Sequence, residues 1–200
     1  MKLINNNLSP LPFYDNLAQQ NHRKDYSFGQ IYPLIVHKNK LMPFQIVLEK
    51  GTTLTMAKLH NVEDGSEVTI TGNLFNNGLS YVDFSDFIIL KYPGLAPVEA
   101  IQQEGHYYLI LVVNRTTLIY SDIFTVCNSV DNCLLIEYSN SSNLTLKGAA
   151  VDFSDNFKFS CYVCAQIGKP EYIFEEEATE RMGYTFIESQ VSKKVYRFTF

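Results

Sequence analysis

Apolar and polar residues alternate in short runs along most of the chain from Tyr32 onward. The runs are rich in Val, Ile, Thr and Tyr, and polar turns such as residues 63–65 and 76–78 separate them. Alternation with a period of two is typical of half-buried strands, and short strands at regular spacing are typical of a sandwich or barrel. The pattern therefore predicts an all-β fold. The predicted strands are residues 34–37, 44–48, 54–60, 67–71, 79–84, 87–91, 107–113, 117–120, 123–126, 134–138, 157–163, 172–174, 185–188 and 195–200.

Two polar turns in this pattern predict β-hairpins. Residues 38–40 join the first two predicted strands, and residues 114–116 join two of the later ones. Asn, Thr and Lys in such short triplets are typical of tight turns. The stretch 175–181 instead predicts a short helix, because Glu and Ala favour helix and Gly183 could end it.

Residues 1–28 lack this periodicity and are predicted to form an extended arm. The prolines of this segment favour extended backbone at the residues before them. Leu11, Phe13 and Tyr14 are apolar enough to dock on another surface. Such anchors serve as partner contacts or dock on the arm's own domain, and the sequence leaves both alternatives open.

A second break in the periodicity lies at residues 128–132, where Val130 is the one apolar residue. We interpret this break as a domain boundary, since segments between domains are polar and make few contacts. The predicted organisation is an arm at residues 1–28, a β-sandwich domain at residues 29–127 and a second, smaller β domain at residues 128–200.

The last segment, residues 194–200, alternates as a strand would. A strand that ends without a polar tail leaves an edge that proteins usually cover. We therefore expect either that a partner subunit pairs with this edge by strand addition or that the natural chain continues further. The predicted partner-contact residues are the apolar anchors of the arm and the aromatics of this strand: Leu11, Phe13, Tyr14, Tyr196, Phe198 and Phe200.

The overall charge argues against nucleic acid as a partner. The chain has 16 Lys and Arg against 21 Asp and Glu, a net charge of −5, and nucleic-acid affinity comes chiefly from cations that neutralise phosphates. The longest apolar stretch, residues 107–113, is far shorter than the roughly 20 residues that a membrane helix needs. The N-terminus has no signal-peptide pattern. We therefore expect no nucleic-acid or membrane partner and synthesis in a reducing compartment.

The four cysteines raise the question of a metal or redox site. Cys161 and Cys164 lie in residues 157–165, where apolar and polar residues alternate as in a strand. An offset of three along a strand places two side chains on opposite faces, so these thiols cannot share a metal or a disulfide. Cys127 and Cys133 flank a polar connection and are expected to stay reduced. We predict that all four are buried or partly buried thiols and that no metal is bound.

Residues 82–86 and 151–155 share the sequence Val-Asp-Phe-Ser-Asp. The repeat predicts a strand-to-turn corner in each copy, with Asp and Ser capping exposed backbone. Chance is the alternative explanation. Ca²⁺ binding is a weaker hypothesis, because this ion takes six or more oxygen ligands and each copy supplies two carboxylates.

The sequence contains no recognisable catalytic signature. Its four histidines belong to no nucleophile motif, and no phosphate-binding glycine loop or zinc-protease motif occurs. The acidic run at residues 175–177 could supply paired carboxylates for glycoside hydrolysis, but such a run without a partner motif is usually a solvated face. We therefore predict that the protein is not an enzyme and binds no cofactor.

Several segments resemble structural proteins encoded by phages and prophages of Bacteroidetes bacteria, including the crAss-like phages. In the N-terminal part these segments are Phe13-Tyr14-Asp15, Tyr26-Ser-Phe-Gly, Ile31-Tyr-Pro-Leu and Met42-Pro-Phe-Gln45. Further along, the closing strands of the immunoglobulin-like β-sandwich units of these proteins are similar to Gly105-His-Tyr-Tyr-Leu and Tyr120-Ser-Asp-Ile-Phe-Thr-Val126. The unit that follows resembles Leu134-Leu-Ile-Glu-Tyr138 and Pro170-Glu-Tyr172.

The resemblance implies an immunoglobulin-like β-sandwich followed by a second, smaller β unit, with an extended N-terminal arm. It also implies a non-enzymatic structural protein of the tail, baseplate or head-to-tail region, made in the bacterial host cytoplasm and located in the virion. The expected partners are further copies of the chain in a ring and other virion proteins. The alternative is a host-glycan-binding module at the tail tip, since a tyrosine ring combines an apolar face with a polar rim, although the chain has no Trp.

Overall fold

The computed structural model describes residues 3–4, 9–20, 34–94, 101, 103–142, 144–146, 150–163, 166–167, 171–181, 184–195 and 198–199. Within these residues the protein has an all-β fold, which confirms the prediction from the sequence pattern. The chain divides into two compact units, Met1–Val163 and Cys164–Phe200.

The strands of the first unit match most of the predicted runs to within two residues, because each run carries its own alternation. One short helix, α1 (Thr71–Asn76), lies among them, and 3-10 turns are found at residues 17–20 and at Ser154–Asn156. The strands are β1 (Leu3–Ile4), β2 (Phe13–Tyr14), β3 (Leu34–His37), β4 (Phe44–Glu49), β5 (Leu54–Asn61), β6 (Glu67–Thr69), β7 (Ser80–Asp83), β8 (Phe87–Tyr92), β9 (Gly105–Val113), β10 (Thr117–Ser121), β11 (Phe124–Cys127), β12 (Leu134–Tyr138), β13 (Thr145–Leu146), β14 (Val151–Asp152) and β15 (Phe159–Val163).

A four-stranded antiparallel sheet has the order β1-β4-β8-β7. Alternate residues of its central strands point into the core, as the period of two requires. On β4 these residues include Phe44 and Ile46, and on β8 they include Leu90 and Tyr92, each at most 2 % exposed.

A second, nine-stranded sheet is organised around β9. Strand β5 runs along one edge of β9, while β10 and β11 follow each other along the opposite edge. Strand β2 extends the sheet beyond β10, and β3 extends it beyond β11 in a parallel pairing. Strand β2 of the arm and the first strand after the arm, β3, are therefore built into the same sheet.

The two sheets face each other across one hydrophobic core, which makes this unit a β-sandwich. The core joins Phe44 and Tyr92 of the smaller sheet to Leu59, Leu109 and Ile119 of the larger one. Each such fully buried side chain contributes about 1.5–3 kcal/mol relative to an exposed one. The sandwich therefore has the apolar content that a stable domain requires.

One of the two predicted hairpins is confirmed and the other is wrong. Residues 114–116 join β9 to β10 in an antiparallel pair, with left-handed backbone at Asn114 and Arg115. Residues 38–40, in contrast, carry the chain from one sheet to the other, because β3 pairs with β11 and β15 rather than with β4. The backbone N–H of Lys38 accordingly donates to the carbonyl of Cys127.

The division of the chain differs from the predicted boundary after residue 127. Strand β12 pairs with β15, and β15 joins the larger sheet where Tyr162 lies opposite Ile35. A small second core contains Val151, Phe153 and Phe159 together with Phe157. Residues 128–163 thus belong to the sandwich unit, because strand pairing links them to residues more than 100 positions earlier.

In the residues that the structure describes, the second unit has two separate strand pairs. Strand β16 (Gln166–Ile167) pairs with β19 (Phe198–Thr199). Strand β17 (Glu171–Arg181) pairs with β18 (Tyr184–Val195) along its whole length, in a hairpin about 35 Å long at a rise of about 3.3 Å per residue. The predicted helix at 175–181 is wrong, since pairing with a strand rich in Thr, Ile and Val outweighs the weak helix propensity of Glu and Ala.

Candidate functional site

A buried lysine is the most unusual charged group of the described chain. Lys91 lies in β8 among apolar residues, on the face that points away from the shared core, and its side chain is 5 % exposed. Its Nζ lies 2.6 Å from Oδ2 of Asp152, whose side chain is fully buried. A buried charge is tolerated only when it is paired and hydrogen-bonded, so these two residues depend on each other.

The carboxylate of Asp152 is held by several donors. Lys91 Nζ and Ser154 Oγ donate to Oδ2, while Thr145 Oγ1 and the backbone N–H of Ser154 donate to Oδ1. Burial by itself raises the pKa of Asp152, but the hydrogen bonds from Lys91, Ser154 and Thr145 outweigh it and lower the pKa to about 2. Asp152 is therefore ionised throughout the neutral and mildly acidic range.

The side chain of Gln45 completes this cluster from the neighbouring strand β4. Its Nε2 donates to the carbonyl of Asp152, and its Oε1 accepts from the backbone N–H of the same residue. A buried glutamine that satisfies both backbone groups replaces the strand partner that β14 lacks on that side. We call Gln45, Lys91, Asp152 and Ser154 the lysine cluster.

The lysine cluster ties the segment between β13 and β15 onto the outer face of the smaller sheet. Besides Asp152, Lys91 Nζ reaches Ser154 Oγ at 3.1 Å and Asp155 Oδ2 at 3.2 Å, and it lies 5.8 Å from the centre of the Phe157 ring. These acceptors use all three protons of an ammonium group. Lys91 thus has the partners of a structural clamp and not those of a nucleophile.

A cleft of about 590 Å³ opens beside this cluster. Its rim includes Asp155 and Asn156, two consecutive residues with left-handed backbone at φ 60° and 58°. Its walls are formed by Pro43, Pro93 and glycines. The lining side chains include neither histidine nor cysteine. Its remaining polar lining is Ser80, Glu137, Lys158 and Ser160.

In both copies of the repeated sequence the first Asp pairs with a lysine. The pair is exposed in the first copy and buried in the second. Asp83 of the first copy pairs with Lys50 at 2.8 Å, with the two side chains 70 % and 47 % exposed. Asp152 of the second copy pairs with Lys91 in the interior. Because protein groups occupy both oxygens of Asp152, they leave this carboxylate no free position for Ca²⁺.

The stability of the protein is expected to decrease as the pH falls from about 4 to about 2. The pKa of Asp152 is about 2 in the folded protein against 3.8 ordinarily, so the unfolded chain takes up the proton first. This difference contributes about 2 kcal/mol above pH 4 and is lost as the pH falls through the folded pKa. Urea unfolding of wild type and of Asp152→Asn across this range measures it. Equal pH slopes for the two proteins would contradict the assignment.

The structure places the predicted partner-contact residues in different settings. Leu11 and Phe13 are buried in the core of their own chain, at 0 % and 4 % exposure. Tyr14 lies half-buried opposite Tyr120 in the larger sheet. Phe198 lies in β19, whose backbone pairs with β16 of the same chain. Two further predicted contacts, Tyr196 and Phe200, lie outside the described residues.

An aromatic row crosses the outer face of the larger sheet. The rings of His60 and Tyr108 stack at 4.5 Å, and Tyr108 meets Tyr120 edge-on at 6.4 Å. Because Tyr108 is only 8 % exposed and its ring packs against His60, the row holds neighbouring strands together rather than offering open ring faces. Glycan binding gains no specific support from it and stays a prediction.

The three described cysteines, Cys127, Cys133 and Cys161, are all half-buried. Cys161 is half-buried in β15, and burial raises the pKa of its thiol. Cys164 lies outside the described residues. Among the described residues, no three His, Cys, Asp or Glu side chains come together as a metal site, and no described helix has the length and apolarity to span a membrane.

The lysine cluster was not predicted from the sequence, although one signal for it is present. Lys91 interrupts an otherwise apolar run and stands at the end of the predicted strand 87–91. A lysine within a run of Ile and Leu indicates a buried charge, and the repeated Asp residues were the available partners. Sequence alone does not show which of the two copies supplies the carboxylate.

Comparison of the chain with protein-family models, curated proteins and solved structures found no match to any of them. The assignment of the fold class therefore depends on the strands, their pairing and the shared core. The chain is an all-β protein with a sandwich-like unit and a long hairpin.

Proposed function

We propose that the protein is a non-enzymatic structural protein of a phage virion, from the tail, baseplate or head-to-tail region. In this proposal the immunoglobulin-like sandwich is a rigid body, and strand pairing through β17 and β18 joins copies of the chain and neighbouring virion proteins. The resemblance of the sequence to structural proteins of Bacteroidetes phages is one support for it. The other support is the shape and pairing of the hairpin.

The observation that carries the proposal is the two-stranded state of the long hairpin. Strands of 11 and 12 residues pair only with each other in the part of the chain that the structure describes. A two-stranded hairpin is marginally stable in water, and a third strand or a packed face is needed to stabilise it. Addition of a strand from another protein is a recurring way to satisfy such edges.

The arm has a different role in this proposal from the one that the sequence suggested. Leu11 and Phe13 occupy the core of the same chain, so they are unavailable as exposed anchors. In this proposal the hairpin, and not the arm, therefore makes the contacts with other protein chains. Phe198 lies in a strand of only two residues, whereas β17 and β18 have 11 and 12 residues and are therefore the candidate contact strands.

Shortening the hairpin without changing its register tests the proposal. Residues 174–177 lie opposite residues 189–192, so deleting both sets of four removes four facing pairs and, because the number is even, keeps the pairing and the side-chain alternation of the rest. We expect the wild type to form oligomers in light scattering and the shortened variant to remain monomeric with an unchanged circular dichroism spectrum. A wild type that is monomeric at all concentrations, and that antibody labelling fails to locate in virions, would refute the proposal.

A further inference from the structure

We propose that unlike edges of the hairpin pair between copies, so that β18 of one copy lies antiparallel beside β17 of the next. This inference rests on the proposed function and adds which two surfaces meet. The edge backbone of each strand carries N–H and C=O groups that the hairpin itself does not use. Two such hairpins can join through β17 and β17, through β18 and β18, or through β18 and β17. The composition of the two strands decides among these three arrangements.

The two strands differ strongly in charge. Strand β17 contains five glutamates and one arginine, whereas β18 contains one glutamate and two lysines. Pairing of β17 with β17 of a second copy would oppose two acidic strands, and like charges on facing strands are destabilising. Pairing of β18 with β17 brings the lysine-bearing strand to the acidic one, so charge complementarity favours the unlike pair.

The register shows that these charges lack directly facing counter-charges inside the hairpin. Residues 175–177, all glutamates, lie opposite Ser, Gln and Val of β18. Lys193 and Lys194 lie opposite Ile173 and Tyr172. Facing pairs of opposite charge stabilise sheets, yet the hairpin forms none at these positions. Among directly facing positions, the acidic run and the lysine pair therefore have uncharged residues opposite them.

An interface between unlike edges also fixes the type of assembly. It is heterologous, and repeated addition of copies closes into a ring when the rotation between them permits. The hairpin contains a bulge on β18 at Glu188, because Ser189 and Ile187 pair with the consecutive residues Glu177 and Ala178. Bulges bend and twist a strand, which gives a ribbon of joined hairpins the curvature that closure requires.

Charge reversal on each strand tests the inference. One variant carries Lys193→Glu and Lys194→Glu, a second carries Glu175→Lys, Glu176→Lys and Glu177→Lys, and a third combines all five changes. Each of the first two makes the facing edges alike in charge, so we expect the apparent dissociation constant of the oligomer to rise about tenfold or more. The third restores unlike edges and is expected to assemble as the wild type does. Native mass spectrometry at low salt gives the copy number of each.

A matched control and the alternative outcomes keep the inference separate from the proposed function. Lys38→Glu with Lys40→Glu makes the same charge change on a turn of the sandwich unit and should leave assembly unchanged. Circular dichroism checks that every variant is folded. Assembly of all variants as in wild type, or a wild type limited to dimers, would overturn pairing of unlike edges while leaving an assembly function intact. A wild type that never assembles would overturn both.

Discussion

Replacing Lys91 with methionine is expected to lower the free energy of unfolding by about 3–5 kcal/mol, because the change leaves the Asp152 carboxylate buried without its counter-charge. Methionine fills a similar volume, so packing alone changes little. Asp152 would retain hydrogen bonds from Thr145 and Ser154, which moderate the loss without neutralising the charge. Urea denaturation followed by circular dichroism measures the difference at neutral pH.

The first copy of the repeated sequence provides a matched control for this experiment. Lys50→Met removes the same kind of Lys–Asp pair at Asp83, where both side chains are exposed to solvent. Exposed pairs contribute about 0–1 kcal/mol, so this variant should unfold close to wild type. Equal losses at the two positions would show that the Lys91 pair is not a buried charge pair.

A double variant separates the charge from the hydrogen bonds. Lys91→Met combined with Asp152→Asn removes both charges but keeps an amide oxygen that can accept from Thr145 or Ser154. We expect this double variant to recover at least half of the stability that Lys91→Met loses, because no ionised group is left in the interior. A loss equal to the sum of the two single variants would mean that the charges do not interact.

Local pattern was enough to predict the strands of the sandwich unit. The short apolar runs at residues 134–138 and 107–113 each predict a strand, and β12 and β9 contain them. The hairpin at 114–116 was also predictable, since a strand pair joined by a short polar turn is determined by neighbouring residues. These features share one property, which is that the residues that determine them are adjacent in the sequence.

Features that depend on distant residues were not predictable. The sequence gives no indication that Tyr162 pairs with Ile35, so residues 128–163 were assigned to a separate domain. The same limit applies to Lys91 and Asp152, which are 61 positions apart. Propensity also failed for residues 175–181, where pairing with a facing strand determines the conformation of a Glu-rich segment.

The arm illustrates how a segment can be recognised from the sequence while its role stays open. Its apolar residues were recognised as docking residues, and the choice between a partner and the arm's own domain stayed open. That choice depends on whether the sandwich has a vacant position that the arm can fill. The structure provides it, because Phe13 packs against Phe44 with ring centroids 5.1 Å apart and the backbone of β2 extends the sheet at β10.

Truncation of the arm anchors is therefore expected to affect folding and not assembly. Phe13→Ala should cost about 3–5 kcal/mol and Leu11→Ala about 2–5 kcal/mol, since each change leaves a cavity in a packed core. Leu17→Ala in the same arm is the control, because Leu17 is 42 % exposed and should change stability by less than about 0.5 kcal/mol. Urea denaturation measures the three losses, and light scattering of the folded proteins compares their oligomeric state. If Leu11→Ala and Phe13→Ala unfold like Leu17→Ala but no longer assemble, the arm is a partner contact and its position in the core is wrong.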